Sequence, residues 1–534
     1  MNKNRNTSQS GMKRLTNSFL FLLCIIVLTS CGSQKTKQNL VTNTYTNPVI
    51  PGDFPDPTVI RVGDMYYAAG TSNNFAPNYP MLQSSDLVNW ESIGRVFNEL
   101  PEWASNDFWA PELYYNNGTF YVYYTAKRKD NGIACIGVAT TKNIHEGFTD
   151  HGILIEWGDE AIDAFVFKDD DGKLYITWKA YGLTHGRDIE ILGSEMTPDG
   201  LSLVGEHFTL TDHELGWKGA GDEGQCIVKR DGYYYMFYSI GGCCDNRCDY
   251  RVMVSRSKNI KADWEQLPEP ILQGGETWRC SGHGTLVTTP DNRDFYLYHA
   301  YNAVDFEYIG RQGLLDEIVW NKETGWPYFK NGDTPSVTAE MPFKNSKQIR
   351  ETLFADDFTT NKNDKLWEWD IDYKKPSFER VNGELHISPS FNKVNFLGTR
   401  PKTGNYTMTT EIVLTTEFNG IGIYSNQENM LGLMASTSEL FLCKAERGEK
   451  KVHREKIDIK NNLFLKYEAV DGRYIQFFWS NDEKNWYPIN FGDNIIDGAF
   501  LPQWGFSPRA GFIVGGSPNN KARYKSLKIE YEFK

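Results

Sequence analysis

Between residues 45 and about 335, one pattern of polar and apolar positions recurs five times. A short apolar strand carries one polar residue. Six to ten positions later comes a turn, with Gly in four of the five copies, and then a strand dense in Tyr and Phe. Asp56 precedes Gly63 and Tyr66-Tyr67, Glu112 precedes Gly118 and Phe120-Tyr121, and Asp163 precedes Gly172 and Tyr175. Glu223 precedes Gly232 and Tyr233-Tyr234-Tyr235, and His283 precedes Asn292 and Phe295-Tyr296. A repeat longer than forty residues with strand–turn–strand content predicts a five-bladed β-propeller. Equivalent positions then face a common axis, and they hold Asp56, Glu112, Asp163, Glu223 and His283. Trp90, Phe148 and Trp264 close a second recurring turn and are expected to pack between blades.

The pattern stops at 336–352, which reads as a linker. From 353 to 534 short alternating strands return, at 406–414, 420–425, 439–444, 464–470, 474–480, 510–515 and 524–533. No helical period exceeds two turns. Alternation with frequent turn signals predicts a β-sandwich of jelly-roll type. The fold class expected is therefore all-β, a propeller followed by a sandwich. A chain of 534 residues is also too long for one core.

Composition narrows the partners. The net charge is −13, and the first thirty-one residues hold four bases and no acid, so the remainder is more acidic still. Nucleic acid and anionic lipid are excluded as main ligands, because phosphate binding needs a basic surface. An uncharged polysaccharide fits. Lys13 and Arg14 precede an apolar run at 19–28 that is too short to span a bilayer and suits an export signal. Leu28-Thr29-Ser30-Cys31-Gly32 resembles a bacterial lipobox, which implies lipidation of Cys31 and a tether at 32–44. The expected location is a bacterial membrane, facing the periplasm or the cell surface. Setting aside Cys24 and Cys31 leaves seven cysteines, an odd number, so one thiol is free or bridges to another chain. Cys243, Cys244 and Cys248 share one loop, where a disulfide, internal or to Cys226 or Cys280, is expected over zinc.

Each ring acid alone would serve as well as a turn cap or a ligand of a structural cation. Repetition at equivalent positions favours a site. Carboxylates crowded around an axis are desolvated and repel one another, which spreads their pKa values and provides both an acid and a base. Glycoside hydrolysis needs such a pair.

Several motifs resemble family 43 of the glycoside hydrolases. They are the run from Asn47 through Phe54-Pro55-Asp56-Pro57 to Tyr67, then Trp109-Ala110-Pro111-Glu112, Ile162-Asp163-Ala164-Phe165, and Glu223-Gly224-Gln225 through Tyr233. The resemblance implies an inverting hydrolase with Asp56 as general base, Glu223 as general acid and Asp163 orienting the acid and raising its pKa. It places His283 over a calcium ion held through water, with no cofactor needed for the chemistry. Arg311 falls where some members point an arginine at the sugar, although a structural ion pair explains it equally well. Phe75, Trp109 and Trp178 are candidates for stacking on sugar or for packing, and Glu112 is a further candidate contact. Gln225 departs from the Gly-Pro that often follows the acid. The expected activity is exo-release of α-L-arabinofuranosyl units from plant cell-wall glycan. A β-xylosidase, an endo-arabinanase and a non-catalytic glycan-binding lipoprotein stand behind it.

Overall fold

The aromatic runs become the second strands of four-stranded sheets. Thr119–Lys127, Tyr233–Ile240 and Asp294–Asn302 are buried along almost their whole length, on both faces, as Tyr- and Phe-rich strands favour. The computed structural model describes residues 43–533 apart from 181–188, 214–220, 246, 374, 391–392 and 458–462. The expected export signal, Cys31 and all but the end of the tether lie outside the described residues.

Five antiparallel sheets of four strands follow one another along the chain. Their first strands are Thr58–Val62, Trp109–Asn116, Ala161–Lys168, Glu223–Arg230 and Trp278–Thr288. Each first strand contacts the next, and Trp278–Thr288 returns to Thr58–Val62, so the five close a ring. Within the stretch expected to be a linker, Thr338–Glu340 pairs with Thr44–Thr46 and ties the two ends of the ring region together.

Pairing between first and second strands slips at the same place in four sheets. The slips span Trp109/Glu112, Ile162/Phe165, Glu223/Cys226 and Gly282/Thr285. Two residues before pairing resumes, the backbone enters the left-handed region at Ala110, Asp163, Gly224 and His283. In the first sheet it does so at Asp56 (φ 51°), two residues before Thr58. The equivalent positions are thus 56, 110, 163, 224 and 283, which corrects two members of the expected ring. Glu112 lies two residues past its equivalent and Glu223 one residue before. A bulge adds a residue that counting along the sequence cannot see.

Apart from Trp369–Asp370, which pairs with Phe75–Ala76, the strands beyond residue 352 form a nine-stranded and a six-stranded antiparallel sheet. All seven expected strands are present to within two residues at each end. Their inward alternation (Leu465, Tyr467, Ile421, Leu442, Phe512 and Leu527) builds one continuous core. Asn429–Ala435 was hidden because it is buried throughout and shows no alternation. Glu449–Lys456 was hidden because it is an exposed, charged edge strand, a form that discourages pairing with other chains.

A buried ion-pair hub joins the ring to this C-terminal region. Glu368, with no exposed surface, accepts from Arg95 (2.7 Å), Arg400 (2.8 Å) and Arg509 (2.6 Å). Arg509 also reaches Asp53 (3.2 Å), three residues before Asp56. Burial alone would raise the Glu368 carboxyl, but the three guanidiniums hold it down at about 2.

Candidate active site

The strained entries to the first strands converge on a cavity of about 1080 Å³, lined by Asp56, Asp163, Glu223 and His283 among others. Left-handed backbone at non-glycine residues is costly and persists where the surroundings fix it. Here it turns the Asp56, Asp163 and His283 side chains together. Gly224 (φ 58°) makes room for this: a Cβ there would meet the His283 ring at 2.6 Å.

Asp56 is held on every side. Its Oδ1 accepts from Arg311 Nη1 (2.8 Å), and its Oδ2 accepts from Thr71 Oγ1 (2.7 Å). Its backbone N–H donates to His299 Nδ1 (3.1 Å). His299 is fully buried and pushed down to about 4, so it is neutral and able to accept. Burial would raise the Asp56 carboxyl, but Arg311 and then His283 outweigh it and hold it well below the usual carboxylate range. Asp56 is therefore ionised across the physiological range.

His283 Nδ1 lies 3.5 Å from Asp56 and 3.8 Å from Asp163, between the two carboxylates. Asp163 Oδ2 accepts from the Gly224 N–H (3.2 Å). The Gln225 side-chain amide donates to the Asp163 carbonyl (2.5 Å), so the Gln that follows Gly224 helps fix the Asp163 backbone. Burial raises Asp163 to about 6; His283 opposes this and the charge of Glu223 reinforces it. Glu223 goes the other way. Burial would raise it, but the Lys179 ammonium (2.5 Å) and the Tyr250 hydroxyl (2.7 Å) keep it below its ordinary value. In this arrangement the proton of the Asp163–Glu223 pair rests on Asp163.

Several groups at the site were not foreseen from sequence. Lys179 and Tyr250 hold Glu223. Glu160 also lines the cavity and is pushed up to about 7 by burial against the pull of Lys179. From the C-terminal region, Trp504, Gly505 and Phe506 reach the cavity. The Gly505 carbonyl accepts from Asn73 (3.2 Å) and from Arg311 Nη2 (3.2 Å). Arg311 thus bridges Asp56 and the C-terminal loop.

Trp109 lines the cavity as expected, with its indole N–H on Asn73 Oδ1 (3.0 Å) and Lys127 over its ring. Three expected contacts do not reach it. Phe75 has no exposed surface; it packs edge-on against Phe506 under the Arg509 guanidinium and forms the socket for the C-terminal loop. Trp178 is buried facing His207, because strand alternation turns its neighbour Lys179 to the cavity instead. Glu112, two residues beyond the bend at Ala110, accepts from Thr58 Oγ1 (2.7 Å) beneath the cavity lining, and burial pushes it up to about 8. Cys243 is bonded to Cys244 and Cys248 to Cys280, while Cys135, Cys226 and Cys443 are free and buried. Among the described residues, no three His, Cys, Asp or Glu side chains converge to hold a metal ion.

Comparison with known proteins bears on this site directly. The chain is 28% identical over 412 residues to a xylan 1,3-β-xylosidase of a Vibrio species, covering 70% of this chain and 75% of that protein. It is 28% identical over 322 residues to an extracellular exo-α-(1→5)-L-arabinofuranosidase, ArbA, of Cellvibrio japonicus, covering 54% and 89% respectively. Its fold matches a xylan β-1,4-xylosidase from Bacillus halodurans with a TM-score of 0.78 at 21% identity, covering 91% of this chain and all of that one. The sequence model of the glycosyl hydrolases family 43 matches residues 45–327, the region that supplies Asp56, Asp163 and Glu223, so this chain is a glycoside hydrolase of that family.

Proposed function

We propose that this protein is an inverting exo-glycosidase that releases terminal α-L-arabinofuranosyl units from plant cell-wall glycans. In this reading the ring of five sheets is a five-bladed propeller and carries the chemistry. The two larger sheets are a β-sandwich that closes one side of the site. The observation that carries the reading is the contrast between two carboxylates in one cavity. Asp56 is locked in its ionised form, and Glu223 is paired with a carboxyl that retains a proton.

In an inverting reaction the two carboxyls flank the bond about 6.5–9.5 Å apart, leaving room for a water. Asp56 takes a proton from that water as its oxygen attacks the anomeric carbon. Glu223 gives a proton to the departing glycosidic oxygen. His283 stands between Asp56 and Asp163, with Nδ1 3.5 Å from one carboxyl and 3.8 Å from the other. The exo reading is supported by walls on several sides: Trp109 on one, residues 241–245 and 247–249 on another, and Trp504 and Phe506 from the C-terminal region. The choice of arabinofuranose is supported by the likeness to ArbA. It is tested by hydrolysis of aryl α-L-arabinofuranoside beside aryl β-D-xyloside: the former is expected to be preferred, and preference for the xyloside overturns the choice of sugar.

Lys179 sets a pH prediction. Protonated Glu223 is the minor form while Lys179 neutralises its carboxylate, so kcat/KM is expected to fall as pH rises through about 6, where the Asp163–Glu223 pair loses its proton. Lys179→Met removes the cation that stabilises the charged form. The acid then keeps its proton to higher pH, and the alkaline limb moves upward. An unmoved limb removes Lys179 from this role.

With Nδ1 of His283 turned to the carboxylates, only Nε2 is left to meet a calcium ion through water. No step above passes through an ion. If one is held there, chelation lowers the melting temperature; unchanged melting and activity remove it from the account. We further propose that the protein is exported and held on a bacterial membrane by lipid on Cys31.

A further inference from the structure

Residues 241–245 and 247–249 wall the cavity, and no step above uses them. Cys243 and Cys244, neighbours in the chain, are bonded to each other, and both line the cavity. A bridge between adjacent residues closes a small ring, fixes the peptide between them and presents two polarizable sulfurs as one face. The surrounding loop is pinned. Cys248 is bonded to Cys280 on the strand Trp278–Thr288, and the Gly242 N–H donates to Asp249 Oδ1 (2.8 Å). Cys243 packs against the buried cluster of Tyr250, Cys280 and Tyr301. On its outer side the Gly505 N–H donates to the Cys244 carbonyl (3.2 Å). That contact sets Trp504, 65% exposed, beside the disulfide at the rim. A large indole left open to solvent at a cavity mouth is a ready surface for the apolar face of a sugar ring.

The position of the plate says which sugar. The loop runs directly into Tyr250, whose hydroxyl donates to Glu223 (2.7 Å). The group beside the acid is the one that departs. We propose that the Cys243–Cys244 disulfide and Trp504 form a binding subsite for the sugar ring carried by the leaving group, with the Asp245–Arg247 pair at its edge to meet hydroxyls. This rests on the reading of Glu223 as the acid. The ligand class is a neutral pentose ring, one unit beyond the bond that is cut.

Calorimetric titration of the Glu223→Gln protein tests this, with arabinose against α-1,5-arabinobiose and xylose against xylobiose. For the accepted sugar the disaccharide is expected to bind about tenfold more tightly than the monosaccharide. The advantage is expected to shrink to about twofold in Cys243→Ser/Cys244→Ser and also in Trp504→Ala. Trp504 is exposed, so its truncation leaves the core intact, and the melting temperature of each variant is read alongside. A disaccharide advantage that survives in both variants overturns the subsite and leaves the glycosidase reading standing. Absence of binding by any of the four sugars overturns both.

Discussion

Asp56→Asn is expected to lower kcat/KM by about 10³-fold or more on every substrate, including aryl glycosides with good leaving groups. The amide keeps the shape of the side chain and can still accept from Thr71 or Arg311, but it cannot take a proton from water. Glu223→Ala behaves differently. An aryl leaving group needs little protonation, so its hydrolysis is expected to fall by about tenfold, against about 10³-fold for an arabinan oligosaccharide. The two substitutions thus separate base from acid by the dependence on leaving group. If Asp56→Asn keeps a tenth of the activity on either substrate, Asp56 is not the base.

Glu368→Ala is expected to have the largest effect on stability. It removes the shared partner of Arg95 and Arg509, both more than nine-tenths buried, and of Arg400, 14% exposed, and leaves three guanidiniums facing one another. Breaking a buried pair from one side costs about 3–5 kcal/mol, because the remaining charge stays desolvated. The midpoint of chemical denaturation reads this out. A loss within about 1 kcal/mol, typical of an exposed pair, would show that the hub is not what joins the two regions. The hub also has a pH signature. The Glu368 carboxyl is depressed to about 2, so its stabilisation is complete above the ordinary carboxylate range near 4.5 and is lost as pH falls towards 2. Because Arg509 also holds Asp53, disturbance here is expected to reach the backbone that carries Asp56.

Much of the ring was legible because each sheet repeats a local signal, a Gly or Asn turn before an aromatic strand. The three carboxylates assigned to chemistry all line the cavity, since each sits at or beside the first turn of a first strand. What the sequence hid is of three kinds. The bulges that precede Glu112 and follow Glu223 shift equivalence by two residues and by one, and nothing in the residue types announces them. Trp178 and Lys179 are neighbours on one strand, so which of them meets the cavity depends on a register set by pairing. Contacts such as Gly505 with Asn73 and Arg311 join residues hundreds of positions apart, and no local pattern encodes them. The tight Cys243–Cys244 pairing was among the alternatives open from sequence, but its place on the cavity wall was not.

The central claim is that Asp56 and Glu223 act from opposite sides of the scissile bond through water. Proton NMR of the first sugar released from an aryl α-L-arabinofuranoside tests it most directly. The account predicts that β-L-arabinofuranose appears first and then mutarotates, with the signal absent in Asp56→Asn. First release of the α anomer would mean a covalent intermediate and would contradict the assignment of Asp56 as a base acting on water.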